Sequence, residues 1–305
     1  MTNDELTAAH VAFRNQLIET GWLVPTAIDG LYGRSGQFES VVEGIDRIVN
    51  ELGIDQQARV VRYPPVFPTE VFELTDYLAS FPDLTGSIHS FHGDDKDHAK
   101  LLSVHAEGGD WTEFLEPSGL MLVSAACHPC YPSLTGTLPE GGTKLDVYGY
   151  CFRHEPSLDP SRMQAFRMHE YVYVGTPEGA LAHREQWIPR GLELLSQLGL
   201  APETQVANDP FFGRAGRMLA ANQRSGELKF ELCVQIYPGQ DTAVISANYH
   251  EDHFGKPFKI LTADGEVAHS SCVGFGMERI TLALIAQHGL AVDDWPADVR
   301  ALLWP

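Results

Sequence analysis

The chain has 305 residues, 44% hydrophobic and 20% charged, which suits a globular protein with a sizeable core in one large domain or two. Its 21 basic and 41 acidic residues leave a formal charge of −20, which disfavours a broad nucleic-acid surface. Met1 to His10 lacks a basic start followed by an apolar run, no stretch reaches the ~20 apolar residues of a membrane span, and five cysteines are an odd number for a disulfide framework, so a cytoplasmic protein without membrane contact is expected.

Leu6, Val11, Phe13, Leu17 and Ile18 recur at helical spacing and predict a helix over Glu5 to Thr20. Asp29 to Gly36 reads as a glycine-rich turn. Val41, Val42, Ile45, Ile48 and Val49 predict a second helix, Phe38 to Leu52, that Gly53 ends. Ala58 to Pro82 reads as a strand, a group of prolines (Pro64, Pro65, Pro68) and a helix. His89, His92, Asp94, Asp95, Asp97 and His98 have the chemistry of metal ligands, but as a short polar run they read as a surface loop.

Gly119 to Ala126 is an apolar run that suits a buried strand and delivers Cys127-His128-Pro129-Cys130. A CxxC is half of a zinc site or a redox pair. No second CxxC and no thioredoxin-like βαβ pattern completes either. Cys130, Cys151 and Cys233 read as core thiols.

Tyr150 to Glu170 reads as strand, long turn, strand. Arg153, Glu155, Arg162 and Phe166 fall along it. A guanidinium forks onto phosphate oxygens, a carboxylate accepts from an exocyclic amine, and a ring stacks on a base, so the set suits a nucleotide. Pro177 to Leu200 is helical, and Asp209 to Gln223 predicts a further helix. Arg214, Arg217, Arg224 and Lys229 form a positive cluster in an acidic chain, either a solvated face or a docking patch for an acidic partner. Leu228 to Ile236, Thr242 to Asn248 and Pro257 to Leu261 read as strands around a polar bend, Asn248 to Gly255. Val267 to Val273 is the last strand, and Gly274-Phe275-Gly276-Met277-Glu278-Arg279 opens an apolar helix.

Phe152-Arg153-His154-Glu155 with Arg162 and Phe166, followed far downstream by Gly274 to Arg279, resembles motifs 2 and 3 of class II aminoacyl-tRNA synthetases. Within that group, Ser124 to Pro129, Phe166 to Glu170 and Ala268 to Gly276 resemble the amino acid:[carrier protein] ligases, relatives of the catalytic core of atypical zinc-dependent seryl-tRNA synthetases. The resemblance implies an α+β fold, an antiparallel sheet flanked by helices. It implies an N-terminal helical segment over 1–57, a catalytic domain over 58–305 and a helical insertion at about 177–226. Ala58 to Pro82 would be motif 1, which builds a homodimer interface in such enzymes.

The same resemblance implies the chemistry. ATP and magnesium activate a small amino acid, glycine or alanine, as an aminoacyl-adenylate, and a phosphopantetheine thiol on a carrier protein takes the acyl group. Arg153 and Arg279 would be catalytic, and Arg153, Glu155, Arg162, Phe166, Glu231 and Arg279 would bind ATP, with Glu231 also a magnesium ligand. Cys127, Glu170 and Cys272 would hold zinc, leaving one open position for the substrate amine. Spacing alone does not select these three over Cys130 and Cys151; the selection rests on the resemblance. Arg214, Arg217 and Arg224 would dock the carrier. The N-terminal helices, about 16 residues or roughly 24 Å each, are too short for an arm that grips tRNA, so no tRNA partner is expected. Three alternatives stay open: a seryl-tRNA synthetase-like enzyme, a zinc or cysteine hydrolase using Cys127 and His128, and a non-catalytic paralog.

Overall fold

The computed structural model describes residues 2–209, 212, 223 and 226–305. Two helices open the chain, and each begins where a hydroxyl caps it. Thr2 accepts from the Glu5 N–H while Glu5 takes the Thr2 N–H at 2.7 Å, starting α1 (Asn3–Glu19). A short hairpin of β1 (Leu23–Pro25) and β2 (Tyr32–Arg34) leads to Ser35, the cap of α2 (Gly36–Leu52). Phe38, Val41, Val42, Ile45 and Val49 bury one side of α2. It ends at Gly53, where a Cβ would meet the Tyr171 hydroxyl at 2.0 Å.

Then come β3 (Arg59–Val61), the prolines, β4 (Val66–Pro68), α3 (Thr69–Leu74) and α4 (Tyr77–Ser80). The one helix expected there is broken because Asp76 takes a left-handed conformation, φ +57°. The polar loop expected around His89–His98 is instead β5 (Ser87–Phe91) and α5 (Asp95–Ala106). Asp94 and Asp97 form a capping box, so these acids start a helix rather than hold an ion. The strand expected over Gly119–Ala126 is displaced to β6 (Leu115–Leu122), in a separate sheet of order β4-β6-β5. Val123 leaves that strand, its N–H bonded to the Pro65 carbonyl, and carries the chain inward.

The chain goes on through β7 (Gly136–Thr137), β8 (Thr143–Phe152), β9 (Ala165–Gly175) and α6 (Pro177–Gln197). Within the expected helical insertion, Glu203 to Val206 pairs with the sheet as β10 (Glu203–Val206). The expected helix over 209–223 lies outside the described residues apart from its ends. β11 (Lys229–Tyr237) and β12 (Gln240–Glu251) follow. The expected strand Pro257–Leu261 is mostly turn. Phe258 N–H bonds to the Phe254 carbonyl and Ile260 N–H to that of Gly255, so only β13 (Ile260–Leu261) pairs, with β7. Last are β14 (His269–Gly276), α7 (Met277–His288) and α8 (Ala297–Leu303).

Seven strands form the main sheet in the order β10-β11-β12-β14-β9-β8-β3, antiparallel except where β3 joins β8. Alternation sends side chains to opposite faces. Tyr171, Val273 and Phe275 join α2, α6, α7 and α8 in one core. Val172, Val174 and Cys272 join Phe67, Phe72 and Phe254 in another. No helix among the described residues is long and apolar enough to cross a membrane.

Candidate active site

A cavity of about 590 Å³ opens on the second of these faces. The β8–β9 hairpin supplies one wall. Phe152 pairs with Ala165 and Cys151 with Phe166, so Arg153, just past the end of β8, lies diagonally across from Phe166 in β9. The Arg153 guanidinium lies 5.4 Å over the Phe166 ring, and its Nε donates to the Ser124 carbonyl at 3.1 Å. Between them the turn carries Glu155 and Arg162, which form an ion pair with each other. Opposite, in the first turn of α7, Arg279 donates from Nε to the Ser161 carbonyl at 2.9 Å and from Nη1 to the Ala243 carbonyl at 3.0 Å. Burial, with Arg153 and Arg162 beside it, pulls Arg279 below the ordinary arginine value. Three guanidinium groups around one space, only Arg162 of them paired with Glu155, suit the several anionic oxygens of a polyphosphate.

The second cluster is Cys127, Glu170 and Cys272, all buried, with ligand atoms within 4.8 Å of one another. β9 and β14 are adjacent, and Glu170 pairs with Gly274, so Cys272 lies diagonally across on the same face. Cys127 is not on that sheet and does not follow directly from a strand, since β6 ends at Leu122. It caps a 3₁₀ turn after Ala126, and its N–H donates to Glu170 Oε1 at 3.3 Å. Burial, then the neighbouring Cys272, pushes the Glu170 carboxyl up to about 8. The Cys127 thiol, with His250 and Asn248, pulls Cys272 well below the usual thiol range, while that bond and burial push Cys127 up. Asn248 Nδ2 stands 3.4 Å and His250 Nε2 3.6 Å from Cys272 Sγ, and Ser270 Oγ holds His250 Nδ1 at 3.0 Å.

This donor set fits zinc. Two thiols and a carboxylate are enclosed together without a lysine or arginine partner among the described residues, and zinc takes S and O ligands in this number with one position open. A Cys127–His128 nucleophile pair does not fit. No hydrogen bond joins the two side chains among the described residues, the thiol is pushed up, and burial drops the His128 imidazole to about 3.

Every residue the sequence reading assigns to ATP or metal lines this one cavity. Glu231 is there too, its carboxylate 3.2 Å from Lys229 Nζ. Lys229 also pairs with Asp209 and is nearly enclosed, so it belongs to the cavity floor and not to a surface patch, correcting its place in the positive cluster. Arg214, Arg217 and Arg224 lie outside the described residues. The sequence reading missed Asn248 and His250 as site residues, having read their stretch as a polar bend. It also missed Tyr77, because only the broken helix turns that ring inward.

Opposite the cavity, the odd positions of β9 tie the sheet to its helices. Arg167 donates to Glu278 through its N–H at 2.7 Å and its Nε at 2.8 Å, and also pairs with Glu39. His169 is bracketed by Asp46 at 2.7 Å and Asp146 at 3.1 Å. The Arg167–Glu278 bonds tie the hairpin that carries Phe166 to the start of α7, which carries Arg279.

No family model matches the chain. Two proteins of Bradyrhizobium diazoefficiens named amino acid–[acyl-carrier-protein] ligases 1 and 2 are 42% and 43% identical to it, over 90% of this chain and 85% and 83% of theirs. The type-2 serine–tRNA ligase of Methanococcus aeolicus is 24% identical over 84% of this chain, which spans 51% of that relative's length. Among solved structures, the seryl-tRNA synthetase of M. kandleri, bound to A. aeolicus tRNASec, superimposes with a TM-score of 0.81 at 20% identity, covering 95% of this chain and 60% of that one. The Pyrococcus horikoshii seryl-tRNA synthetase complexed with ATP gives 0.68 at 15% identity, covering 95% and 62%. The fold is therefore the α+β class II synthetase core, and with more than two-fifths identity across nine-tenths of its length the chain belongs to the amino acid–[acyl-carrier-protein] ligase family and is a ligase.

Proposed function

We propose that this ligase activates a small amino acid, glycine or alanine, with ATP and transfers it to the phosphopantetheine thiol of a carrier protein. One observation carries the reading: the arginine-lined nucleotide wall and the Cys127–Glu170–Cys272 cluster open on the same cavity. The relatives' names point to a carrier protein as acceptor, and the charge of −20 disfavours a polynucleotide.

In this reading Phe166 stacks on one face of the adenine, Glu155 accepts from its amine, and Arg279 covers the other face or grips the terminal phosphate. Arg162 leaves Glu155 to reach the outer phosphates. Glu231 offers a carboxylate to the nucleotide's magnesium, an ion bound by one or two carboxylates and the phosphates themselves. Cys127, Glu170 and Cys272 would hold zinc, which would supply a Lewis-acid position for a neutral amine. His128, His250 and Phe254 crowd that end and favour a short side chain. The substrate carboxylate attacks the α-phosphorus, pyrophosphate leaves, and Arg153 offsets the charge that develops. The thiol then attacks the acyl carbon, and AMP departs with the bonding pair. The edge strand β3, with Val60 61% exposed, and the neighbouring Ile54 would form the homodimer contact.

The test is amino-acid-dependent ATP–pyrophosphate exchange across the standard amino acids, with and without a zinc chelator. Exchange with glycine or alanine that the chelator abolishes is expected, followed by labelled transfer to a holo-carrier and not to tRNA. Transfer to tRNA would favour the serine–tRNA ligase reading, which the wider similarity to those enzymes supports. No exchange with any amino acid would overturn adenylation.

A further inference from the structure

Asp159 sits midway along the turn that carries Glu155 and Arg162, yet it is only 3% exposed. A carboxylate that deep in a polar turn is expensive to bury unless it is well bonded. Here it is bonded from three elements. It accepts from the Ser161 N–H at 2.9 Å and from the Tyr237 hydroxyl, at the end of β11, at 2.7 Å. His10 Nε2, from α1, stands 3.8 Å away, and Arg162 Nε 4.0 Å.

The consequence runs through one residue, Ser161. Asp159 fixes the Ser161 N–H, and the carbonyl of the same residue takes Arg279 Nε at 2.9 Å. Asp159 therefore orients the next side chain, Arg162, and holds the anchor of Arg279. Helix α1 backs the arrangement. The His10 ring lies 4.5 Å from the Tyr237 ring, and His10 Nε2 meets Gln240 Oε1 at 3.1 Å. The turn is tied to the N-terminal segment a second time, by Gln164 N–H to the Gly30 carbonyl and Gln164 Nε2 to that of Asp29.

We propose that Asp159 is a positioning residue for nucleotide binding, setting Arg162 and Arg279 from the far side of the turn, and that α1 serves the nucleotide site through it. This rests on the nucleotide reading of the cavity. A preset loop spares the ligand the cost of ordering it.

The test is exchange kinetics on the metal-loaded full chain, with KM for ATP and for the amino acid measured separately, and zinc content alongside. Asp159→Asn keeps shape and removes the charge; KM for ATP should rise at least tenfold, with KM for the amino acid and zinc content within twofold of wild type. Tyr237→Phe, which removes one hydroxyl, should raise KM for ATP about threefold. The double variant Asp159→Asn/Arg162→Ala should lose less ATP affinity than the two single losses multiplied. An unchanged KM for ATP in folded Asp159→Asn overturns the proposal, as does an equal rise in both KM values, which would mark general damage. Should Asp159→Asn not fold, an unchanged KM for ATP in Tyr237→Phe overturns it instead. Wild-type protein without exchange would strike the nucleotide reading itself, a separate result.

Discussion

Glu170 illustrates what the proposed zinc would offset in this site. An enclosed carboxyl pushed to about 8, beside two thiols and with no basic partner among the described residues, is a poor choice for folding alone. A dication reverses that balance. Cys272→Ala should therefore lose bound zinc and amino-acid-dependent exchange together, read by metal analysis and by exchange on the same sample; full metal content in that variant would sink the assignment. At this scale the sequence was unevenly informative. Arg153, Glu155, Arg162 and Phe166 lie within fourteen residues of one another and carry a motif in their spacing. Cys127 has no such neighbour to mark it; only the fold carries it 43 positions in sequence across to Glu170, and family likeness had to stand in for geometry. The Glu155–Arg162 ion pair was not legible either, since it depends on how the turn closes.

At the scale of elements, the hairpin, both N-terminal helices and α6 follow from periodicity and caps, because their local and tertiary preferences agree. The misread segments are those where tertiary contact overrides a local pattern. Pro257–Leu261 looks β-like, yet Phe254 and Phe258 are needed in the core, and the chain winds into turns to deliver them. Gly255 makes that winding possible, since a Cβ there would lie 1.9 Å from the Ala268 carbonyl oxygen. Gly255→Ala should cost about 3 kcal/mol in chemical denaturation. Gly274→Ala is its contrast. The new Cβ would meet Glu170 and Ser246 at an ordinary 3.5 Å, so stability should hold while KM for the amino acid rises. Equal stability losses in the two would refute the distinction.

The His169 tie between α2, β9 and β8 has a pH signature. Burial opposes its charge, but Asp146 and Asp46 outweigh burial and raise its pKa, with Arg62 on the far side of Asp146. A raised histidine contributes fully below its unfolded value and loses that contribution as pH rises through the folded one. His169→Gln should thus melt well below wild type at pH 6, and the gap should narrow at pH 9 at fixed ionic strength. A gap that stays constant would mean the ring acts by packing alone.

For the whole molecule, the class of fold was legible from two motifs in the right order, and the comparisons agree. What composition and periodicity left hidden was the layering: which face of the sheet meets helices and which meets the small β4-β6-β5 sheet. Alternation fixes two faces for each strand but does not say what covers them. If the β3 edge is the homodimer contact, Val60→Lys should convert a dimer to monomers in light scattering at micromolar concentration, with the fold kept. An unchanged mass would move the interface elsewhere.

Along β9 neighbouring residues serve opposite sides of the sheet. Phe166, Met168 and Glu170 face the cavity, while Arg167, His169 and Tyr171 hold the helices. A single codon lost between Ala165 and Glu170 would exchange the two sets. It would turn the Tyr171 phenol toward the thiols and set the Glu170 carboxylate against Asp46 and Asp146. Changes of length among descendants of this gene should therefore collect in the turn between 153 and 164 or beyond the strand ends, and inside β9 only paired losses or gains keep the parity on which both faces depend.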